Sequence, residues 1–216
     1  MSEEFRWWEY AVGGMWEEMG ALQFDFLVAQ GLKPDHYLLD VGCGALRGGV
    51  RFIPHLKPGH YFGIDVSKEI LAAGRRVLEE YALTHMDPTL VEMDDFDFAV
   101  LNRKFDFALA QSVFTHIPLN SIIRCVMNID KALVPGGRCY ATFFENPLGK
   151  FNLEPLEPAI VAQDGLKFVT HFDRDPYHYD FGTFEWICEG TSLTVEYLGD
   201  WGHPRDQRMM VFVKTS

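Results

Sequence analysis

Asp40, Asp65 and Asp94 each close a short apolar run, and the first run passes directly into Gly42-Cys43-Gly44. An apolar run that meets glycines and then a helix-like stretch reads as a buried parallel strand, a tight turn and a helix N-terminus. Gly42 and Gly44 carry no Cβ, so a ligand can approach the backbone closely there. The unpaired N–H groups that open a helix suit an anionic ligand group. Asp40 adds an acceptor for a cationic or donor group. Asp65 is suited to accept from both hydroxyls of a ribose. Asp94 is suited to accept from an exocyclic adenine amine, with Phe96 or Phe98 available to lie on the ring. Ligands of open α/β sheets bind beyond the carboxyl ends of the strands. Together these residues read as the parts of an adenosine-containing cofactor site.

A second group suits proton transfer and substrate contact. His116 follows the fourth apolar run, and imidazole titrates near working pH, so it is the candidate general base. Its alternative role is to cap the helix that opens at Pro118 or to fill the core. Glu145, His178, Tyr179 and Asp180 bracket an aperiodic stretch and are candidate substrate contacts, with exposed loop positions as their alternative.

The elements that must position these residues alternate. A short helix with an aromatic face (Phe5, Trp8) is expected over Glu3 to Val12, broken by Gly13-Gly14. A longer helix follows, with Met15, Met19, Leu22, Phe26 and Ala29 at four-three spacing and Gly31 and Pro34 at its end. Gly20 inside it costs on the order of 1 kcal/mol against alanine, which points to a close neighbour, either a ligand or another element. Leu46 to Ile53 reads as a helix ended by Pro54. His60 to Asp65 is a second strand, and Ser67 caps a helix over Lys68 to Tyr81. Thr89 to Met93 and Phe105 to Gln111 are further strands, and Pro118 opens a helix running to Leu133. Pro135-Gly136-Gly137 turns into a fifth strand, Arg138 to Glu145.

Such alternation means βαβ units and a parallel sheet. Asn146 to Gly182 then reads as an insertion over the ligand edge of that sheet. A helix over Phe184 to Glu189 and two strands, Leu193 to Leu198 and Met209 to Lys214, close the chain. The short polar connection around Gly202-His203-Pro204 makes this last pair antiparallel.

The chain has 216 residues, enough for one domain with an insertion. The expected division is a helical cap (1–35), a cofactor-binding core (36–145), a lid insertion (146–182) and a closing helix and strand pair (183–216). A net charge of −12 argues against a nucleic-acid partner, which wants clustered Lys and Arg. The four cysteines form no C-x-x-C pair. Neither a disulfide framework nor a metal site is indicated, and a reducing cytoplasm is the expectation. No run of about 18 apolar residues suggests a membrane span. The spacing does not decide between a monomer and a homodimer.

A dinucleotide would also suit a glycine turn with an acid about 20 residues on, which makes a NAD(P)-dependent oxidoreductase one reading. Arg47 stands where the dinucleotide pattern wants its third glycine, and the final antiparallel pair fits a dehydrogenase poorly.

Leu39-Asp40-Val41-Gly42-Cys43-Gly44, Gly63-Ile64-Asp65, Asp94-Asp95-Phe96, the stretch from Phe105 to Pro118 and Leu133-Val134-Pro135-Gly136-Gly137 resemble, in order, the motifs of class I S-adenosylmethionine-dependent methyltransferases, closest to their small-molecule branch. The resemblance implies a Rossmann-like α/β fold: a doubly wound, mostly parallel seven-stranded sheet whose last strand is antiparallel. It assigns the methionine end of S-adenosylmethionine to Asp40, Gly42, Cys43 and Gly44, the ribose to Asp65 beside Val66, and the adenine to Asp94, Asp95 and Phe96. Gln111 and Ser112 complete the cofactor set, and Gln23 faces the glycine loop if the long helix packs as in relatives. His116 then lies beside the sulfonium. Leu46 stands where the family's third glycine is usual. Arg47 is left to meet the cofactor carboxylate or to be a solvated first-turn residue.

No Asn-Pro-Pro-Tyr follows the fourth strand, no Pro-Cys pair offers a thiolate, and no acidic triplet suits magnesium. The implied activity is methyl transfer to O or N of a small or medium organic substrate, with S-adenosylhomocysteine as product. A non-catalytic S-adenosylmethionine-binding protein is the alternative.

Overall fold

The computed structural model describes residues 6–149, 153–157 and 169–215. The chain forms two compact units, Met1–Asp94 and Asp95–Ser216.

In the first unit, strands β1 (Leu38–Val41), β2 (Tyr61–Asp65) and β3 (Thr89–Glu92) lie in the order β3-β2-β1 and are all parallel. β1 and β2 are buried along almost their whole length, as strands covered by helices are, whereas β3 is only partly buried. Gly63 is demanded by packing: a Cβ there would stand 2.8 Å from Cys43 Sγ and 2.9 Å from Leu90 Cδ2. Helices α1 (Trp7–Ala11) and α2 (Trp16–Ala29) precede β1, α3 (Gly49–His55) joins β1 to β2, and α4 (Lys68–Glu80) joins β2 to β3. The Ser67 hydroxyl accepts from Ile70 N–H at 3.2 Å, the expected N-cap.

Three local readings differ from expectation. The buried stripe of α2 is Trp16, Met19, Gly20, Gln23 and Leu27, rotated from the one expected; Leu22 and Phe26 are half-buried and Ala29 is exposed. Packing chose the stripe that carries the glycine: a Cβ on Gly20 would meet the Arg47 carbonyl oxygen at 2.6 Å. Leu46 is not helical, its φ of 72° lying in the left-handed region, and α3 begins only at Gly49. At its other end α3 runs through Pro54 to His55 before Leu56 turns extended. Proline forfeits one hydrogen bond but keeps a helical φ, so the last turn still forms.

In the second unit, β4 (Phe105–Ala110), β5 (Leu133–Glu145), β7 (Leu193–Gly199) and β8 (Arg208–Lys214) lie in the order β4-β5-β8-β7. β4 and β5 are parallel, and β8 runs antiparallel to both neighbours. Helix α5 (Leu119–Ala132) links β4 to β5 and buries Ile122, Cys125, Val126 and Ile129. Pro118 is its N-cap rather than a first-turn residue. The expected turn at Pro135-Gly136-Gly137 is an irregularity inside β5, where the register with β4 shifts between Phe105 and Phe107. A Cβ on Gly137 would stand 2.8 Å from Val134 O and 3.0 Å from Phe105 O, so only glycine lets the strand continue.

Within Asn146 to Gly182 the described residues hold a two-residue strand, β6 (His178–Tyr179), parallel to the end of β5. It is an addition to the seven strands expected. The rest of that insertion, 150–152 and 158–168, lies outside the described residues, as do Glu3 and Phe5 of the expected first helix. Helix α6 (Gly182–Cys188) carries Phe184 into an aromatic core, 4.9 Å from Phe143 and 6.1 Å from Phe114 between ring centroids.

Candidate functional site

In the first unit the glycine turn is held from β2. Gly42 and Cys43 both donate N–H to the Ile64 carbonyl, at 2.8 and 2.9 Å. Gly44 N–H donates to Asp65 Oδ2 at 3.0 Å, and Ser67 N–H donates to Oδ1 at 2.9 Å. A carboxylate offers about four acceptor sites, so Asp65 orders the turn and keeps lone pairs for a ligand's hydroxyls. Gly42 and Gly44 have φ of 70° and 57°, which a side chain would strain. The Cys43 side chain packs towards Gly63, and burial pushes its thiol well up. Only its backbone is therefore offered at the turn.

Asp40 is buried beneath the turn and accepts from the Tyr61 hydroxyl at 2.6 Å. Burial pushes its carboxyl up to about 7, and nearby Asp65 adds to the effect while the Tyr61 bond and Arg47 oppose it. Gln23 is buried with Oε1 2.6 Å from where a Gly48 Cβ would stand, so it does reach the segment after the turn. Val66 is exposed beside Asp65, and Asp94 is exposed just past β3.

Arg47 is not the solvated first-turn residue considered from the sequence: it is half-buried and precedes α3. Its Nη1 donates to the carbonyls of Val12 (2.7 Å) and Gly14 (2.8 Å), tying the segment between α1 and α2 to the turn.

The second unit opens with Asp95, whose Oδ1 accepts from Asp97 N–H at 3.0 Å. Phe96 is half-buried, with a φ of 59° and its ring edge-on to Phe98. Past β4, Gln111 and Ser112 enter a polar network. Ser112 N–H donates to Thr142 Oγ1 (2.7 Å), and both hydroxyls donate to Gln207 Oε1 (2.9 and 2.7 Å). Gln111 Nε2 donates to Ser112 Oγ at 2.6 Å and lies 3.2 Å from Nε2 of His203. These bonds hold Ser112 in a left-handed conformation, φ 58°.

His116 is half-exposed, and its Nδ1 lies 2.6 Å from Asp175 Oδ1. A carboxylate on Nδ1 fixes that nitrogen as the N–H and leaves the Nε2 lone pair as the free acceptor. Glu145, at the end of β5, accepts from the Tyr197 hydroxyl at 2.7 Å and lies 3.6 Å from Arg208 Nε. With Leu156, Glu157, Thr170 and Asp206 it lines a cavity of about 280 Å³. His178 is buried, with Nδ1 3.0 Å from Thr170 Oγ1, and burial holds its imidazole below the usual range. The buried Tyr179 donates its hydroxyl to the Ile117 carbonyl at 2.8 Å.

Asp175, Thr142, Gln207 and the anchoring role of Arg47 were not read from the sequence. Asp175 lies 59 residues from His116, in the aperiodic stretch, and no spacing signals the pair.

The arrangement has the fold of class I S-adenosylmethionine-dependent methyltransferases: a mostly parallel sheet with one antiparallel strand at its end, flanked by helices. Residues 39–139 match the family model described as a methyltransferase domain. An S-adenosylmethionine-bound amino pentose methyltransferase of Micromonospora echinaspora, involved in calicheamicin biosynthesis, is similar along 100% of this chain and 99% of its own, with a TM-score of 0.68 and 17% identity. A probable methyltransferase of Aspergillus luteorubrus is 23% identical over 49% of the chain, and an uncharacterized protein of Methanocaldococcus jannaschii 31% identical over 40%. The matched stretches span 39% and 25% of those two relatives.

Proposed function

We propose that this protein transfers a methyl group from S-adenosylmethionine to an oxygen or nitrogen atom of a small organic acceptor. The observation that carries this reading is Asp65, which orders the glycine turn through Gly44 N–H and retains acceptor capacity for two ribose hydroxyls. The donor set fits the cofactor in a second respect. Asp40 is a buried carboxyl that accepts from the Tyr61 hydroxyl, its one hydrogen-bond donor among the described residues, and an α-ammonium nearby would stabilise its charged form.

The bound cofactor supplies a sulfonium methyl, transferred by in-line displacement. The protein's part is to orient the acceptor and to remove its proton when the nucleophile needs it. His116, with Nδ1–H directed at Asp175, presents Nε2 as the base; Asp175 acts as a positioning residue. The cavity at Glu145 is at the small end of the range for ligand pockets, which supports a small acceptor. Four buried free cysteines suit the reducing cytoplasm, and no described helix is long and apolar enough to cross a membrane.

Titration calorimetry with S-adenosylhomocysteine tests the reading. Binding is expected in the wild type and in His116→Ala, and is expected to vanish in Asp65→Ala. With a methyl-labelled cofactor and an acceptor found by screening cell extract, His116→Ala should lower kcat by about 10²–10⁴. Absence of binding in the wild type would sink the reading. Binding without any labelled acceptor would favour the non-catalytic alternative.

A further inference from the structure

The segment between α1 and α2 lies directly on the glycine turn. A Cβ on Gly44 would stand 2.7 Å from Val12 Cγ1, so Val12 occupies the space that a side chain there would need. Three consecutive residues with positive φ, Gly13 (88°), Gly14 (67°) and Met15 (51°), fold the chain back over the turn. Arg47 holds the fold-back from the far side of the turn by donating to the carbonyls of Val12 and Gly14. A guanidinium to two carbonyls is a charge-assisted pair, stronger than neutral contacts. At either end of the segment, the buried indole N–H groups of Trp8 and Trp16 have no acceptor among the described residues. Buried donors are normally paired, so both ends are suited to gain an acceptor.

We propose that residues 12–15 form a strap that Arg47 fastens over the glycine turn, and that it must open for the cofactor's methionine end to enter or leave. This rests on the cofactor reading given above. Arg47 is then a positioning residue for the strap rather than a carboxylate ligand. The same arginine sits next to Leu46, whose φ of 72° is left-handed. The departure from the family's usual glycine thus coincides with the fastening point. Gly20, which lets α2 approach the Arg47 carbonyl, sets the other side of the same junction.

The release of labelled S-adenosylhomocysteine into excess unlabelled ligand tests the strap, together with amide hydrogen exchange at residues 12–15. Bound S-adenosylhomocysteine should slow exchange at 12–15 in the wild type. Arg47→Ala should release the ligand about tenfold faster or more, as expected for loss of two charge-assisted hydrogen bonds. Arg47→Lys, which keeps the charge but not the fork, should fall between. Val12→Ala, which leaves Arg47 intact and only uncovers Gly44, should release it several-fold faster, so the proposal survives a poorly folding Arg47 variant. Wild-type release rates in the Arg47 and Val12 variants, or exchange at 12–15 that ignores the ligand, would overturn the strap while leaving the cofactor reading intact. No wild-type binding at all would overturn both.

Discussion

Asp40, one residue before the end of β1, and Asp65, the last residue of β2, lie on adjacent strands, yet their surroundings give them different work. Asp65 is half-buried and orders the backbone of the turn, whereas Asp40 is buried with a carboxyl pushed up to about 7. The pH dependence follows from linkage. A folded value above the unfolded one means the folded state holds the extra proton between about 4 and about 7. Stability from this group is therefore complete below that window and is lost as pH rises through it. Asp40→Asn keeps an acceptor for the Tyr61 hydroxyl and removes the titration. Thermal melts of the two proteins should show the wild type losing ground against the variant from about pH 4 to 8. A constant difference across that range would refute the account. The sequence marked Asp40 as an acceptor at the ligand end, but nothing in the spacing showed Tyr61 beneath it.

At the scale of elements, the loop before β8 matters more than its polar composition suggested. Gln207 accepts from both Ser112 and Thr142, joining the end of β4 to the middle of β5. Gln207→Ala leaves the buried Thr142 hydroxyl and the half-buried Ser112 hydroxyl without their acceptor, a loss of about 1–3 kcal/mol. It should also free Ser112 to leave its left-handed conformation. Urea unfolding should show the loss, and proteolysis should become faster near Gln111 and Ser112. A midpoint equal to that of the wild type would remove the network from the account of the site. Helix α2 makes the related point about periodicity. A four-three stripe was legible, but two overlapping stripes existed, and the one containing Gly20 and Gln23 is buried because only it permits close approach to Arg47 and Gly48.

At the scale of the molecule, each unit has a core of its own. That of the second is aromatic and centres on Phe184, which is fully buried and meets Phe114, Phe143, Tyr179, Phe181 and Phe212. Phe184→Ala removes a ring that its neighbours cannot close over, and about 3–5 kcal/mol of stability should go with it. Chemical denaturation measures that directly, and a loss below about 1 kcal/mol would mean the core repacks.

The sequence alone determined the alternation of strands and helices, the acids at three strand ends, the glycine turn and the antiparallel closing pair. Each of these is written in local periodicity or in a residue type whose physics is local. Only tertiary structure decided that Arg47 ties down residues 12–14, that Asp175 meets His116, and that Gln207 meets Ser112. Those pairs join residues 33 to 95 positions apart, and no propensity or spacing encodes which distant polar group a folded chain will bring within hydrogen-bond reach.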